Sequence, residues 1–382
     1  MIDWSETDLL VRDTIRAFVD KEIRPHVEEL EHGDLPPYDL IRKFFTAFGL
    51  DAMARDSFDP ERAGGGGPGG ERAALSLIAV SELSRVCQGL VTAMGVSVGL
   101  AAGTIMSRGT PAQRTRWAKD LLTFDKVGAW AITEPDSGSD AFGGMRSTAR
   151  RDGDAFVLSG QKTFITNGPH ADTIVVYAKL DGEVATFVLD AGMPGLTRSK
   201  PLRKMGIHSS PTGELFFDDV RLEPDRMLAG GGRESAKANF TTERYGVAAM
   251  SLGIIEECLA LCVSYAKSRT LRGRPIGDFQ LIQLKLAEME VARLNVQNLV
   301  FRTVELLREG RTPTLAEASA MKLYSSKAAT DVAMEAVQLF GGNGYMAEYR
   351  VEQLARDAKS LMIYAGSNEV QVTHIAKDLL TR

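Results

Sequence analysis

Proton transfer at carbon needs a carboxylate, imidazole or amine held where water is scarce. Four of the carboxylates in motif-like strings are candidate acceptors: Glu134 and Asp140 in Trp130–Asp140, Glu243 in Thr241-Thr242-Glu243-Arg244-Tyr245-Gly246, and Glu369 in Ile363–Val370. Glu243-Arg244 leads straight into the apolar run Val247-Ala248-Ala249-Met250, so this carboxylate sits where a helix enters a core. The plainer alternative is a solvated helix carboxylate paired with a neighbouring charge. Glu134 and Asp140 fall in turns, where side-chain oxygens usually cap backbone. The histidines, His26, His32, His170, His208 and His374, are scattered and read as structural or solvated. HExxH and CxxC are absent, which removes the usual signals for zinc peptidases and dithiol redox centres. Cys258 and Cys262 lie four apart on a helical pattern and read as buried thiols, so no metal site is expected. With Cys87 they are too few for a disulfide framework, and a reducing compartment follows.

Glycine-bearing strings stand beside these carboxylates. Trp130-Ala131-Ile132-Thr133-Glu134-Pro135-Asp136-Ser137-Gly138-Ser139-Asp140 and Gly160-Gln161-Lys162-Thr163-Phe164-Ile165-Thr166-Asn167-Gly168 both read as strand then turn. Gln338-Leu339-Phe340-Gly341-Gly342-Asn343-Gly344-Tyr345 reads as a glycine helix stop. Gly64–Gly70 holds six glycines but lacks GxxxxGK[ST] and a leading strand, so it reads as a surface loop rather than a phosphate cradle. Val86–Ser107 carries no charge and is long enough to span a bilayer. Gln88, Thr92, Ser97 and Thr104 dilute its hydrophobicity, and a helix buried among other helices is the better reading.

The elements that position these strings fall into three blocks. Residues 1–125 carry helical periodicity, with helices expected over Asp3–Leu30, Asp39–Leu50, Glu71–Cys87 and the uncharged stretch, and another opened by Pro111 with Thr110 as N-cap. Residues 126–232 switch to short β-rich runs, with Asp152-Gly153 and Asp181-Gly182 as hairpin turns. Residues 233–382 return to helices over Ser235–Arg269, Asp278–Glu309, Thr314–Phe340 and Val351–Lys359. The expected fold is therefore α+β: an N-terminal helical domain, a central antiparallel β-barrel domain and a C-terminal four-helix bundle. A length of 382 residues with 44% hydrophobic content supports a substantial core. The balance of 45 basic against 50 acidic residues excludes a strongly basic nucleic-acid binder. Met1–Asp8 is polar, with no signal-peptide core, and a cytoplasmic protein without a membrane span is expected.

Four strings, Trp130–Asp140, Gly160–Gly168, Gln338–Tyr345, and Arg356-Asp357-Ala358-Lys359 followed by Ile363–Val370, taken together in this order and spacing, resemble the acyl-CoA dehydrogenase family over nearly the whole chain. The resemblance implies a non-covalent FAD between the β domain and the C-terminal helices, shared across a dimer interface within a homotetramer. Trp130, Ile132, Thr133, Gly138 and Ser139 match its first flavin-contacting segment, and Phe164 and Thr166 its second. Arg269 matches the arginine that reaches the neighbouring subunit's FAD. Gln280, Gln338, Gly341 and Gly342 match positions around the adenosine end, and Ser367 and Glu369 the last cofactor segment. Leu271-Arg272 departs from the family's usual threonine and phenylalanine.

The reaction so implied is α,β-dehydrogenation of an acyl-CoA thioester, with electrons passed on to an electron-transfer flavoprotein. Many members place the base between the Tyr and Gly of the fourth string, where this chain has Ala365. Isovaleryl- and long-chain-type members supply a glutamate from the first long C-terminal helix, and Glu243 falls on it. Ala365 still offers the backbone N–H that the family aims at the thioester oxygen. Ser139, Thr241 and Arg244 match positions near the thioester arm, and Thr92 and Val96 positions that limit acyl-cavity depth. Gly95, Gly99 and Gly103 either leave acyl volume or let helices pack closely. The competing readings are a relative with oxidase, monooxygenase or carrier-protein thioester chemistry, and a non-catalytic FAD-binding subunit of a mixed oligomer.

Overall fold

The computed structural model describes residues 4–33, 35–59 and 69–381. Most of the Gly64–Gly70 tract, read above as a surface loop, lies outside the described residues, and Gly69 and Gly70 open the helix Gly69–Val86. The first helix, Glu6–Phe18, starts at a Ser5/Asp8 capping box. The expected single helix to Leu30 is interrupted. A wide turn at Val19–Ile23 and a tight one at Arg24–His26 precede Val27–His32, because Pro25 has no N–H for the ladder. The uncharged stretch likewise starts afresh, at Gln88, after the extended Cys87, and widens into a π-helix over Val96–Ala102 before Gly103–Arg108. Thr110 caps the following helix and shares a capping box with Gln113.

The middle block is one sheet of seven strands: β1 Gly128–Ala131, β2 Thr148–Asp152, β3 Ala155–Thr166, β4 Thr173–Leu180, β5 Glu183–Asp190, β6 Leu196–Arg198 and β7 Thr212–Leu222. Both expected hairpins form. Asp181 and Gly182 take positive φ (53° and 87°) between β4 and β5, and Gly153 does so (62°) between β2 and β3. Two features correct the antiparallel barrel. β4 pairs in parallel with β1 and β2, and the pairing runs from β5 to β6 without closing, leaving an open half-barrel. Parallel neighbours are joined by long crossovers and leave no turn signal in the sequence. β4 is buried from Thr173 to Ala178 because both its faces are covered there. Ile174, Val176 and Ala178 join the sheet's inner core, while Val175 and Tyr177 pack with Trp117, Leu121 and Ile105 of the first block.

The last block holds five helices rather than four: Gly232–Ser268, Gln280–Arg308, Leu315–Phe340, Val351–Leu361 and Asn368–Thr381. Their common core also takes Ala74 and Leu77 of Gly69–Val86, so the first block is built into the bundle. Two helices, Gln88–Arg108 and Gly232–Ser268, are long and apolar enough to cross a bilayer, and each is about 61% buried in the fold over its most apolar window.

Charged clasps close the seams between blocks. Glu257 of the long helix accepts from Arg24 (2.6 Å) and Arg85 (2.8 Å), and Arg16 grips Glu82 (2.7 Å) and Glu256 (3.1 Å). The loop before β7 is held from two sides. Glu31 accepts from the N–H groups of His208 (3.0 Å) and Ser209 (3.1 Å), and the buried Asp357 accepts from the Ile207 N–H. Burial, helped by the charge of Glu31, pushes the Asp357 carboxyl up to about 7. Because Glu257 is buried among three guanidiniums, those of Arg24, Arg85 and Arg350, removing it strands uncompensated charge. Glu257→Leu is expected to lower unfolding free energy by about 3 kcal/mol in denaturant titration, and an unchanged midpoint would show that these pairs are solvated.

Candidate active site

The long helix Gly232–Ser268 enters the bundle through Phe240, Glu243 and Arg244. Glu243 is half-buried, and among the described residues no hydrogen bond or ion pair within 4.0 Å involves its carboxylate. It is therefore not the paired surface carboxylate of the plainer reading. Desolvation pushes its pKa up to about 7, against the opposing pull of Arg244 and Lys322. Arg244 turns away from it. That side chain is 2% exposed, donates from Nη1 to Ser319 Oγ (3.1 Å), and keeps an unpartnered buried Nε. Thr241, one helical turn before Tyr245, is half-buried and bonds back to the Lys237 carbonyl.

The loop after Val351–Leu361 lies against this point. Ala365 has φ +56° and Gly366 φ +79°, consecutive left-handed residues of which the first carries a side chain. The Ala365 N–H has no backbone partner among the described residues. Tyr364 lies close enough to feel the Glu243 charge, and its hydroxyl accepts from Gln88 Nε2 (2.9 Å) and is within bonding reach of Thr92. The uncharged stretch is thereby docked beside the carboxylate. Along it, a Cβ on Gly95 or Gly99 would meet nothing within 4 Å, and one on Gly103 only the Val98 carbonyl at 3.9 Å. Close helix packing does not explain these glycines. Val96 lies between the first two, partly buried.

The cofactor-like segments meet at one edge of the sheet. Trp130 is buried, donates to the Tyr177 hydroxyl (3.2 Å) and sets its ring edge-on to Phe240 (6.0 Å), one turn before Glu243. Phe240 in turn lies under the Arg244 guanidinium. Ile132 accepts from Lys162 Nζ (3.0 Å), and Thr133 accepts from the Thr163 N–H (2.9 Å), which brings β1's continuation beside Phe164. Phe164 sits at a register break in β3 with φ +58° and is 67% exposed, whereas its neighbours Thr163 and Ile165 are buried. The bulge turns an aromatic ring outward at the sheet edge. Thr166 is half-buried, and Gly138 and Ser139 form an exposed turn. Glu134 and Asp140 are structural. Burial opposes charge on Glu134, but Lys162 Nζ (2.8 Å) and the Ser147 (2.9 Å) and Arg146 N–H groups outweigh it and hold its pKa down. Asp140 accepts from the Gly143 N–H (3.0 Å). Ser367 and Glu369 open the last helix beside Lys322, with Glu369 exposed.

Arg269, Gln280, Gln338, Gly341 and Gly342 do not join this cluster within one chain. Arg269 follows Glu243 by 26 residues along one helix, on the order of 39 Å. At that end Tyr265 stacks on Phe340 (4.0 Å) and accepts from Asn343 Nδ2 (3.0 Å), while Gly341 and Gly342 border open space. Gln280 and Gln338 are exposed, and Arg269 makes no ion pair among the described residues. The departure at Leu271-Arg272 falls in a small hairpin, with Arg272 and Gly273 at φ 53° and 79°. Sequence reading missed the supports. Asn167, fully buried at φ +64°, donates to the carbonyls of Ala93 and Gly128 (2.9 Å each) and accepts from Tyr38. Lys322 and Gln371, both fully buried, hold the 365–367 loop.

Three family models match the chain in succession: the acyl-CoA dehydrogenase N-terminal domain over residues 5–125, the middle domain over 129–220 and the C-terminal domain over 230–380. The chain is 36% identical to an acyl-CoA dehydrogenase of Bacillus subtilis, with 98% of each chain covered. Among solved structures it is similar to butyryl-CoA dehydrogenase from Megasphaera elsdenii (TM-score 0.89, 35% identity, all of both chains covered). It is also similar to a glutaryl-CoA dehydrogenase from Mycobacterium smegmatis in complex with FADH2 (TM-score 0.90, 28% identity, 99% of this chain and 96% of that one).

Asn167 ties the Phe164 bulge to the first block through buried hydrogen bonds with Ala93 and Tyr38, and to β1 through Gly128. Asn167→Ala is expected to lower stability by about 2–4 kcal/mol in denaturant melts, since it also places alanine at positive φ. A loss below about 0.5 kcal/mol would show that the bulge holds itself.

Proposed function

The chain belongs to the acyl-CoA dehydrogenase family, and we propose that Glu243 is the base with which it performs that family's reaction. The protein is an FAD-dependent oxidoreductase that introduces an α,β double bond into an acyl-CoA thioester. One observation supports this base above all: a desolvated carboxylate with no hydrogen bond among the described residues, next to a loop where the Ala365 N–H has no backbone partner among them.

An α-proton of a thioester is weakly acidic, so its acceptor gains from losing water. A carboxylate near 7 accepts a proton more readily than one at the ordinary 4.5, and each unit is worth about 1.4 kcal/mol. Glu243 takes the α-proton, and negative charge grows on the thioester oxygen. The Ala365 N–H donates to that oxygen, so the alanine that replaces the common base still serves through its backbone. FAD, when bound, accepts the β-hydrogen as hydride. Trp130, Ile132, Thr133, Gly138, Ser139, Phe164, Thr166, Ser367 and Glu369 would hold the flavin end: the outward ring of Phe164 and the exposed 138–139 turn leave a face for it. Arg269, Gln280, Gln338, Gly341 and Gly342 would hold the far end of the FAD of a second copy, which their distance from Glu243 requires. Ser139, Thr241 and Arg244 would line the thioester arm, and Thr92 and Val96 the acyl cavity.

We place the domain limits at 1–125, 126–232 and 233–382. The exposed Leu281, Leu284, Val291 and Leu294 along Gln280–Arg308 suit burial in a homotetramer. An electron-transfer flavoprotein is the acceptor we propose, in the cytoplasm.

Anaerobic mixing of the FAD-loaded protein with acyl-CoA esters of graded length tests the base. Glu243→Gln is expected to keep FAD and bleach it about 10²–10⁴-fold more slowly; undiminished bleaching overturns the assignment. Because Glu243 must be ionised to act, the rate should rise with pH through a midpoint near 7. Gly95→Leu should narrow the acyl cavity, cutting kcat/KM for the longest accepted chain by about 10-fold or more while sparing the shortest. An unchanged chain-length profile would place that open space outside the cavity.

A further inference from the structure

Left-handed φ at a residue with a side chain persists only where surrounding structure dictates it. Ala365 is such a residue, and Gly366 continues the turn. Two fully buried side chains grip it, and both donate to the Gly366 carbonyl. Lys322 Nζ, on Leu315–Phe340, donates to the Gly366 carbonyl (2.8 Å) and to Asn368 Oδ1 (2.9 Å), and Ser326 Oγ steadies Asn368 (3.1 Å). Gln371 Nε2, on Asn368–Thr381, donates to the carbonyls of Ala365 (3.2 Å), Gly366 (2.6 Å) and Ser367 (3.3 Å). Its Oε1 stays buried without a partner. An unpaired acceptor is unfavourable, so the position is kept for its donor end.

We propose that Lys322 and Gln371 are positioning residues that clamp the 365–367 turn so that the Ala365 N–H faces the thioester oxygen. The proposal rests on Glu243 being the base. Lys322 has no carboxylate within ion-pair distance among the described residues, so its charge is not spent in a contact pair. The groups that face Glu243 are Arg244 on its own helix, Lys322 on Leu315–Phe340 and the Tyr364 hydroxyl on the loop. Those that face Lys322 are Arg244, Glu243 and Glu369. Burial, then Arg244, pulls Lys322 down to about 8, so the ammonium is still present where Glu243 ionises.

The test uses FAD-loaded Lys322→Met, Lys322→Gln and Gln371→Leu, with kcat and KM for one acyl-CoA measured across pH. Lys322→Met should lose about 10-fold or more in kcat with a much smaller change in KM, since the donor acts in the transition state. Its activity limb should move to higher pH, because removing a positive charge raises the Glu243 pKa. Lys322→Gln, which keeps a donor without charge, should regain part of kcat while its limb stays displaced. Gln371→Leu should lose kcat with the limb unmoved. A residue that only stabilised the fold would change FAD retention or Tm and leave kcat per bound flavin and the pH limb in place. If Lys322→Met fails to retain FAD, Lys322→Gln and Gln371→Leu decide by the same criteria. Wild-type kcat and limb in the loaded variants overturn the clamp, and if Glu243→Gln is inactive in parallel the base assignment survives that failure. Turnover in Glu243→Gln overturns the base itself.

Discussion

A partly desolvated carboxylate with no hydrogen bond among the described residues is costly to keep charged, and the centre of this molecule depends on keeping one, Glu243. Glu243 tolerates its place because two cations act on it from a distance rather than through contact. Arg244 is drawn aside to Ser319, and Lys322 is anchored on the 365–367 loop. A close ion pair would have lowered the carboxylate's pKa and removed its use as a proton acceptor. The bundle supplies charge near enough to hold the group in its dry position and far enough to leave it basic.

That arrangement explains why the three blocks are bound so firmly. Glu243 lies on the long helix, the loop facing it belongs to the last two helices, the docked apolar helix comes from the first block, and Phe164 comes from the sheet. Glu257, Glu31, Asp357 and Asn167 sit at the seams, each joining elements far apart in sequence. The same long helix carries Arg269 to the opposite end, so the residues matched to one cofactor divide between two places on the chain.

The sequence revealed the parts that local rules govern. Asp181-Gly182 predicted its hairpin because a two-residue turn there needs positive φ, and Thr110 predicted its cap. Glu243 stood out because a charged pair preceded an apolar run and because the family resemblance removed the alternative at Ala365. The rest followed from non-local facts. β1 beside β4 leaves no turn signal, and the fifth C-terminal helix was hidden by the Gly366 turn before it. Lys322 reads, within Ala320-Met321-Lys322-Leu323, as an ordinary polar helix position. Phe164 is an aromatic in a β-run, and nothing in its neighbours foretells a left-handed, outward-facing residue.

The most direct measurement separates proton abstraction from hydride transfer. An acyl-CoA analogue whose β-position carries no transferable hydrogen is incubated in D2O with the FAD-loaded protein, and deuterium entering the α-carbon is followed. The account predicts exchange that rises with pH through a midpoint near 7 and is lost in Glu243→Gln at full FAD loading. Exchange that continues in Glu243→Gln at the wild-type rate would contradict it.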